Sequence, residues 1–232
     1  MLYMTHCCQI EWYNVECMEL INDIINIYVT RWSWFLGLLG DHIKMTATAI
    51  MIAGSLGLIV GMIISERRQL APIVIGICNV CYTIPAIALF GMLIPFVGIG
   101  NKTAIIALTI YAVMPMVRNT YTGITSIDPD IIEAARAMGS TDLQILLRIK
   151  IPLAFSVILS GLRQMTVMTI SMGGIASFVG AGGLGVAIYR GITIYNPAMT
   201  FAGGLLIALL AVVSDNLLGA VARHYNKKRR MN

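Results

Sequence analysis

Long apolar runs alternate with short polar breaks along this chain. The runs occupy residues 45–64, 70–96, 103–117, 151–172 and 199–222. Each approaches the roughly 20 residues that a helix needs to cross about 30 Å of hydrocarbon, the third with help from residues 118–121. A backbone in lipid must satisfy its own N–H and C=O groups, so such runs predict helices rather than loops or open strands. The pattern therefore predicts an all-α, polytopic membrane protein with about five transmembrane helices. Residues 19–40 mix Asp23 and Arg31 with Ile24, Ile25, Ile27, Trp32, Trp34 and Phe35. That mixture reads as an interfacial helix with an aromatic belt rather than a sixth span. Three regions follow: an external N-terminal segment (1–44), a transmembrane domain (45–222) holding a polar stretch at 128–152, and a cytoplasmic basic tail (223–232).

Composition agrees with that pattern. Of 232 residues, 58% are hydrophobic and 12% charged, where a soluble domain carries about 25% charged residues. Cytoplasmic flanks hold the excess of Lys and Arg. One side carries Arg67, Arg68, Arg118, Arg136, Arg148, Lys150, Arg223, Lys227, Lys228, Arg229 and Arg230; the other has Arg31, Lys44, Lys102 and Arg190. The N-terminus is thus expected outside, with the polar stretch and the C-terminus in the cytoplasm. The net charge of +5 follows from topology and contact with anionic lipid, without a nucleic-acid partner. The first 16 residues lack a basic segment, an apolar segment and a cleavage site in series, so no removable signal peptide is expected. Cys78 and Cys81 have Cys-x-x-Cys spacing inside an apolar run, where packing is the better reading than metal or redox chemistry. Cys7, Cys8 and Cys17 fall in an N-terminal segment expected to be loose.

The polar stretch is organised. Asp128 suits an N-cap, Pro129 the first helical position, and Asp130 and Glu133 the first turn, where negative charge complements the helix dipole. Ile131, Ile132, Ala134, Ala135 and Met138 form an apolar, small-residue face, and Gly139 supplies a left-handed stop. Thr141 and Gln144 make a capping box for a second helix leading to Pro152, which opens or bends the next span. A helix of two to three turns is not stable alone, so neighbours or a partner must hold it. The plain alternative is a hairpin that only joins two spans.

Glu133-Ala134-Ala135, three residues, Gly139, nine residues and Ile149-x-Ile151-Pro152 resemble the EAA loop of permease subunits in bacterial ABC importers, with Ile151 where the family has Leu. The resemblance implies a type I ABC importer permease fold. It also implies a coupling helix that docks in a groove of a separate ATPase subunit, through Glu133, Ala134, Ala135 and Gly139, with Arg136 and Asp142 at the rim. No Gly-x-x-x-x-Gly-Lys-Ser/Thr occurs, so no nucleotide is expected on this chain. ATP and Mg fall to the partner ATPase, and no cofactor or metal is expected here. Further partners implied are a second permease copy or homologous permease and an extracytoplasmic substrate-binding protein, at the bacterial cytoplasmic (inner) membrane.

Over about 43–222 the chain is similar to permeases for glycine betaine, carnitine and choline. The likeness includes Tyr82-Thr-Ile-Pro85-Ala, Pro115-Met-Val-Arg118-Asn119-Thr-Tyr121, Ser160-Gly-Leu-Arg163 and the glycine segment at 173–185. Similar glycine segments occur in methionine and phosphonate permeases. Gly180-Ala-Gly182-Gly-Leu-Gly185 also matches a dinucleotide fingerprint, but it follows no βαβ strand. Tight turns or close helix approach explain it instead. Pro85 and Pro115 kink their spans, either shaping a pathway or serving packing.

Arg163 and Asp215 lie inside spans, where unpaired charge is costly. Either the two pair, or each meets backbone carbonyls or interfacial water. Gly54, Gly57 and Gly61 offer a face for close helix contact, within the chain or between subunits. Tyr82, Phe90 and Tyr111 are scattered aromatics, and no substrate-contact residue is assigned. A secondary transporter would show related halves and several midplane carboxylates. An intramembrane enzyme would gather His6, His42 and His224, which are spread out, or show a nucleophile motif.

Overall fold

A computed structural model describes residues 2–230, with side chains for residues 18–225 and 227. The side chains of His6, Cys7, Cys8, Cys17, Lys228, Arg229 and Arg230 lie outside the described residues. Nine α-helices are described, α1 (Leu2–Glu66), α2 (Ala71–Thr83), α3 (Ala86–Val97), α4 (Asn101–Thr125), α5 (Pro129–Ala137), α6 (Asp142–Ile145), α7 (Ile151–Gly173), α8 (Gly185–Thr193) and α9 (Pro197–Arg230), and no strand is present among these residues.

Among the described residues four stretches are long and apolar enough to cross a membrane, and two further helices pass the same test together but are joined at a bend. That bend corrects the reading of 70–96 as one kinked span. Pro85 breaks the helix outright: Ile84 is extended (ψ 128°), and the two halves diverge by 96°. The residue before proline is driven out of the α region. Pro115, by contrast, stays inside a continuous α4.

Helix α4 forms the centre, packed between α1 and α7, with α9 lying against α7 and α8. Its buried face mixes small residues, Ala104, Ala107, Ala112 and Gly123, with larger ones, Leu108, Tyr111, Met116, Val117 and Ile124. Lipid is as apolar as leucine, so close packing and not water exclusion must hold spans together. Gly57 and Gly61 serve this contact inside the chain. A Cβ on Gly61 would stand 2.5 Å from Thr120 Cβ, and one on Gly57 2.6 Å from Met116 Cβ.

Two further expectations change. The third span does not end at Tyr121: α4 continues to Thr125 and is 25 residues long. The hydroxyl of Thr125 donates back to the Tyr121 carbonyl (2.8 Å), so these residues extend the helix. The N-terminal segment read as loose is helical from Leu2, and the helix leaves helical geometry at Arg31 (φ −124°, ψ 24°). Residues beyond Arg31 continue into the first span, while Phe35 and Leu38 pack with Ile170, Leu184 and Ala202. The basic tail continues α9 to Arg230.

Candidate coupling surface and intramembrane ion pair

Helix α5 starts as its sequence dictates. The Asp128 carboxylate accepts the Asp130 N–H (3.0 Å), and Pro129 sits in the first turn. It ends in a paired cap: Ser140 N–H donates to the Ala135 carbonyl (3.1 Å) and Gly139 N–H to the Arg136 carbonyl (2.9 Å). Gly139 takes φ +85°, the left-handed position such a cap requires. Thr141 and Gln144 then cap α6 reciprocally, through the Thr141 hydroxyl and the Gln144 side-chain oxygen. Arg136 reaches across the turn to Asp142 at 3.0 Å. Both side chains are well exposed, so the pair contributes less than about 1 kcal/mol.

The hairpin has an inside and an outside. Ala135 and Ile145 are each 1% exposed, whereas Met138 is 79% and Leu143 64% exposed, with Ile131 and Leu147 also open. Within the proposed group, Glu133 and Ala134 face outward. Ala135 faces inward, and the close approach it permits in this structure is to its own chain. Arg136 and Asp142, expected at a partner's rim, engage each other. Glu133 also borders a cavity of about 980 Å³ between the α1–α2 junction and α5, lined too by Arg67, Arg68 and Lys150.

Two contacts tie this hairpin to the membrane helices. Lys150 Nζ lies 2.5 Å from Glu66 Oε1, joining the end of α1 to the start of α7. Between α6 and α7, residues 146–150 form a π-helical turn in which Ile151 N–H donates to the Leu146 carbonyl. Pro152 has no N–H to give, and the wide turn carries the helix through that gap. Neither feature was anticipated; two opposite charges 84 positions apart leave no local signal.

Higher in the bundle, Arg163 of α7 meets Asp215 of α9. Nε donates to Oδ1 at 2.9 Å and Nη2 to Oδ2 at 2.8 Å. This two-pronged geometry matches the flat guanidinium to the flat carboxylate. Side-chain exposures of 35% and 37% place the pair at the bundle's margin.

The glycine segment at 173–185 wraps His42, which is fully buried. Its Nε2 lies 3.0 Å from the Ile170 carbonyl, and a Cβ on Gly183 would fall 3.2 Å from its Cα. This histidine anchors the loop and was not singled out by sequence, because its partner, the Ile170 carbonyl, lies 128 positions away.

Comparisons with known proteins agree with this architecture. The model of the family described as binding-protein-dependent transport system inner membrane component matches residues 43–227. Carnitine transport permease protein OpuCD of Listeria monocytogenes is 38% identical over 210 residues, covering 90% of this chain and 94% of that protein. Choline transport system permease protein OpuBD of Bacillus subtilis (strain 168) is also 38% identical, over 92% of this chain and 96% of its own. Among solved structures, a chain of the inward-facing MetNI methionine ABC transporter superposes with a TM-score of 0.75 at 26% identity, covering 84% of this chain and 97% of that one. The chain belongs to the family of binding-protein-dependent transport system inner membrane components, and its fold is that of type I ABC importer permeases.

Proposed function

We propose that this chain is the pathway-forming permease subunit of an ATP-driven importer for a compatible solute of the glycine betaine, carnitine and choline class. It works in the bacterial cytoplasmic membrane, with the N-terminus outside and the α5–α6 hairpin and C-terminus inside. Two permease subunits flank one pathway, two copies of a separate ATPase drive it from the cytoplasm, and an extracytoplasmic binding protein delivers the solute. ATP and Mg bind on the ATPase, and this chain carries no catalytic residue.

The observation that carries the reading is the capped hairpin with its outer apolar face, Ile131, Met138, Leu143 and Leu147. Such a face fits recognition of a short helix in a partner's groove. Closure of the ATPase pair would shift α5, and the Arg136–Asp142 contact passes that shift to α6. The helix runs on without a stop through the π turn into α7. There Lys150 engages α1 through Glu66, and Arg163 engages α9 through Asp215. Motion at one cytoplasmic hairpin is thereby shared among three spans, as alternating access requires. The identities with carnitine and choline permeases support the solute class.

Reconstitution in liposomes with the ATPase and binding protein tests this. ATP-dependent uptake of at least one of the three solutes is expected. Uptake driven by an ion gradient without the ATPase would refute it. Glu133→Ala is expected to weaken ATPase association while leaving solute binding to the external protein intact.

A further inference from the structure

A separate constellation lies where α2, α4 and α7 meet. Arg118 is exposed in the interior of α4, seven residues and so about 10 Å from the cytoplasmic end at Thr125. Among the described residues no carboxylate pairs with it. Its guanidinium instead lies 3.5 Å from the side-chain oxygen of Asn79 on α2. One turn along α2, Tyr82 is 41% exposed and meets Tyr111 of α4 edge to face, with ring centroids 5.9 Å apart. The Tyr82 hydroxyl donates to Met168 of α7 at 3.1 Å. Beside Arg118, Asn119 reaches the exposed Gln164 of α7 at 3.5 Å.

The break at Pro85 builds part of this surface. It leaves the Ile84 carbonyl outside any helix ladder, and the Tyr111 hydroxyl donates to it. That bond fixes the Tyr111 ring, which is 3% exposed and backs Tyr82. Asparagine, arginine and glutamine on one face of membrane-embedded helices suit neither lipid nor an apolar helix contact. They suit a wet pathway wall, which a second permease copy would complete.

The chemistry is divided along the wall. Residues 79 and 82 are three apart on α2, a rise of about 4.5 Å. One end presents an aromatic ring, which attracts quaternary ammonium; the other presents a guanidinium suited to carboxylate. We propose that this wall is a transport subsite for zwitterionic quaternary ammonium carboxylates. Tyr82 receives the ammonium, Arg118 backed by Asn79 receives the carboxylate, and Tyr111 is a positioning residue. Phe90, fully buried, takes no part. The subsite rests on the function proposed above and adds a discrimination: glycine betaine and carnitine use both ends, choline the aromatic end alone.

Side-by-side uptake of glycine betaine and choline by the reconstituted complex, at saturating loaded binding protein, tests it. Arg118→Gln is expected to lower glycine betaine uptake by about tenfold or more while changing choline uptake by less than about twofold, because a charge-assisted bond is lost for one solute alone. Should that variant fail to assemble on size-exclusion chromatography, Arg118→Lys carries the same contrast in weaker form. Tyr82→Leu is expected to lower uptake of both solutes and Tyr82→Phe to keep it. Equal loss of both solutes, or no loss, in the assembled Arg118 variant overturns the subsite while the transport function stands. If only one solute is carried, the Tyr82 pair decides, and equal effects of Leu and Phe overturn it. If the unmodified complex carries neither, the functional reading falls and the subsite with it.

Discussion

Replacing Gly139 separates a backbone role from a contact role in the coupling hairpin. The residue stands at φ +85°, and a Cβ there meets nothing within 4 Å. The whole cost of substitution is therefore conformational. A left-handed backbone costs an ordinary residue about 1–2 kcal/mol, which lowers the population of the capped turn by about 5–30-fold. Asparagine tolerates that region, and a β-branched residue tolerates it least. Two bonds depend on the turn, Ser140 N–H to Ala135 and Gly139 N–H to Arg136, and with them the angle between α5 and α6. The expected order is Gly139→Asn near the parent, Gly139→Ala weaker and Gly139→Val weakest, in affinity for the ATPase and in solute imported per ATP. Titration of the ATPase onto the permease in nanodiscs reads the first and parallel flux and hydrolysis assays the second. Thermal stability of the permease should fall in the same order, by up to the same amount, about 1–2 kcal/mol. Equal damage from Asn and Val, or intact association in Gly139→Ala, would refute the backbone argument.

Other consequences follow from the packing. Gly61→Ala places a Cβ 2.5 Å from Thr120 Cβ, whereas Gly204→Ala enters open space. The first is expected to destabilise by about 1–3 kcal/mol through overpacking, and the second to be neutral or stabilising by up to about 1 kcal/mol; a reversed order in thermal unfolding would contradict the close approach of α1 and α4. Reversing either Arg163 or Asp215 should abolish uptake, and reversing both together should restore part of it, with no recovery counting against the pair as a link between α7 and α9. Tyr195 occupies a left-handed helix stop at φ 55°, with Asn196 N–H donating to the Gly191 carbonyl. Tyr195→Gly should therefore raise the melting temperature, by relief of about 1 kcal/mol of strain.

Much of the α5–α6 hairpin was legible because its signals are local. Asp128, Pro129, Gly139, Thr141 and Gln144 each act within four residues, and each stands in the expected cap. Features that join distant segments left weaker traces. Arg163 and Asp215 were recognisable as costly charges inside spans, but their two-pronged contact required the crossing of α7 and α9. The difference between Pro85 and Pro115 is also tertiary. Both lie in apolar runs, yet α4 is held between α1 and α7 and stays helical through Pro115. The run at 70–96 has no such support on both flanks, and it breaks. The run at 103–117 looked short because residues 118–125 are polar, and hydroxyls that bond back to the preceding turn concealed the helix from a hydropathy reading.

That concealed extension changes what Arg118 means. Read as a flank, it helps fix topology; read inside α4, it becomes a cation within a candidate span, as Arg163 is. The two differ in what faces them. Arg163 has both prongs on Asp215, so its charge is closed within the chain and its effect is mechanical, holding α7 to α9. Arg118 has an amide oxygen at 3.5 Å and no carboxylate among the described residues. An amide orients a guanidinium without neutralising it. A cation left open in a wet wall attracts an anion that comes and goes, and in a transport pathway the solute supplies one. A permanent partner at this position would compete with the solute's carboxylate for the same donors. Supplying a carboxylate in the chain therefore tests the argument from the other side. Asn79→Asp should close the Arg118 charge and depress glycine betaine uptake more than choline uptake. The opposite ranking would show that Arg118 serves the scaffold, as Arg163 does.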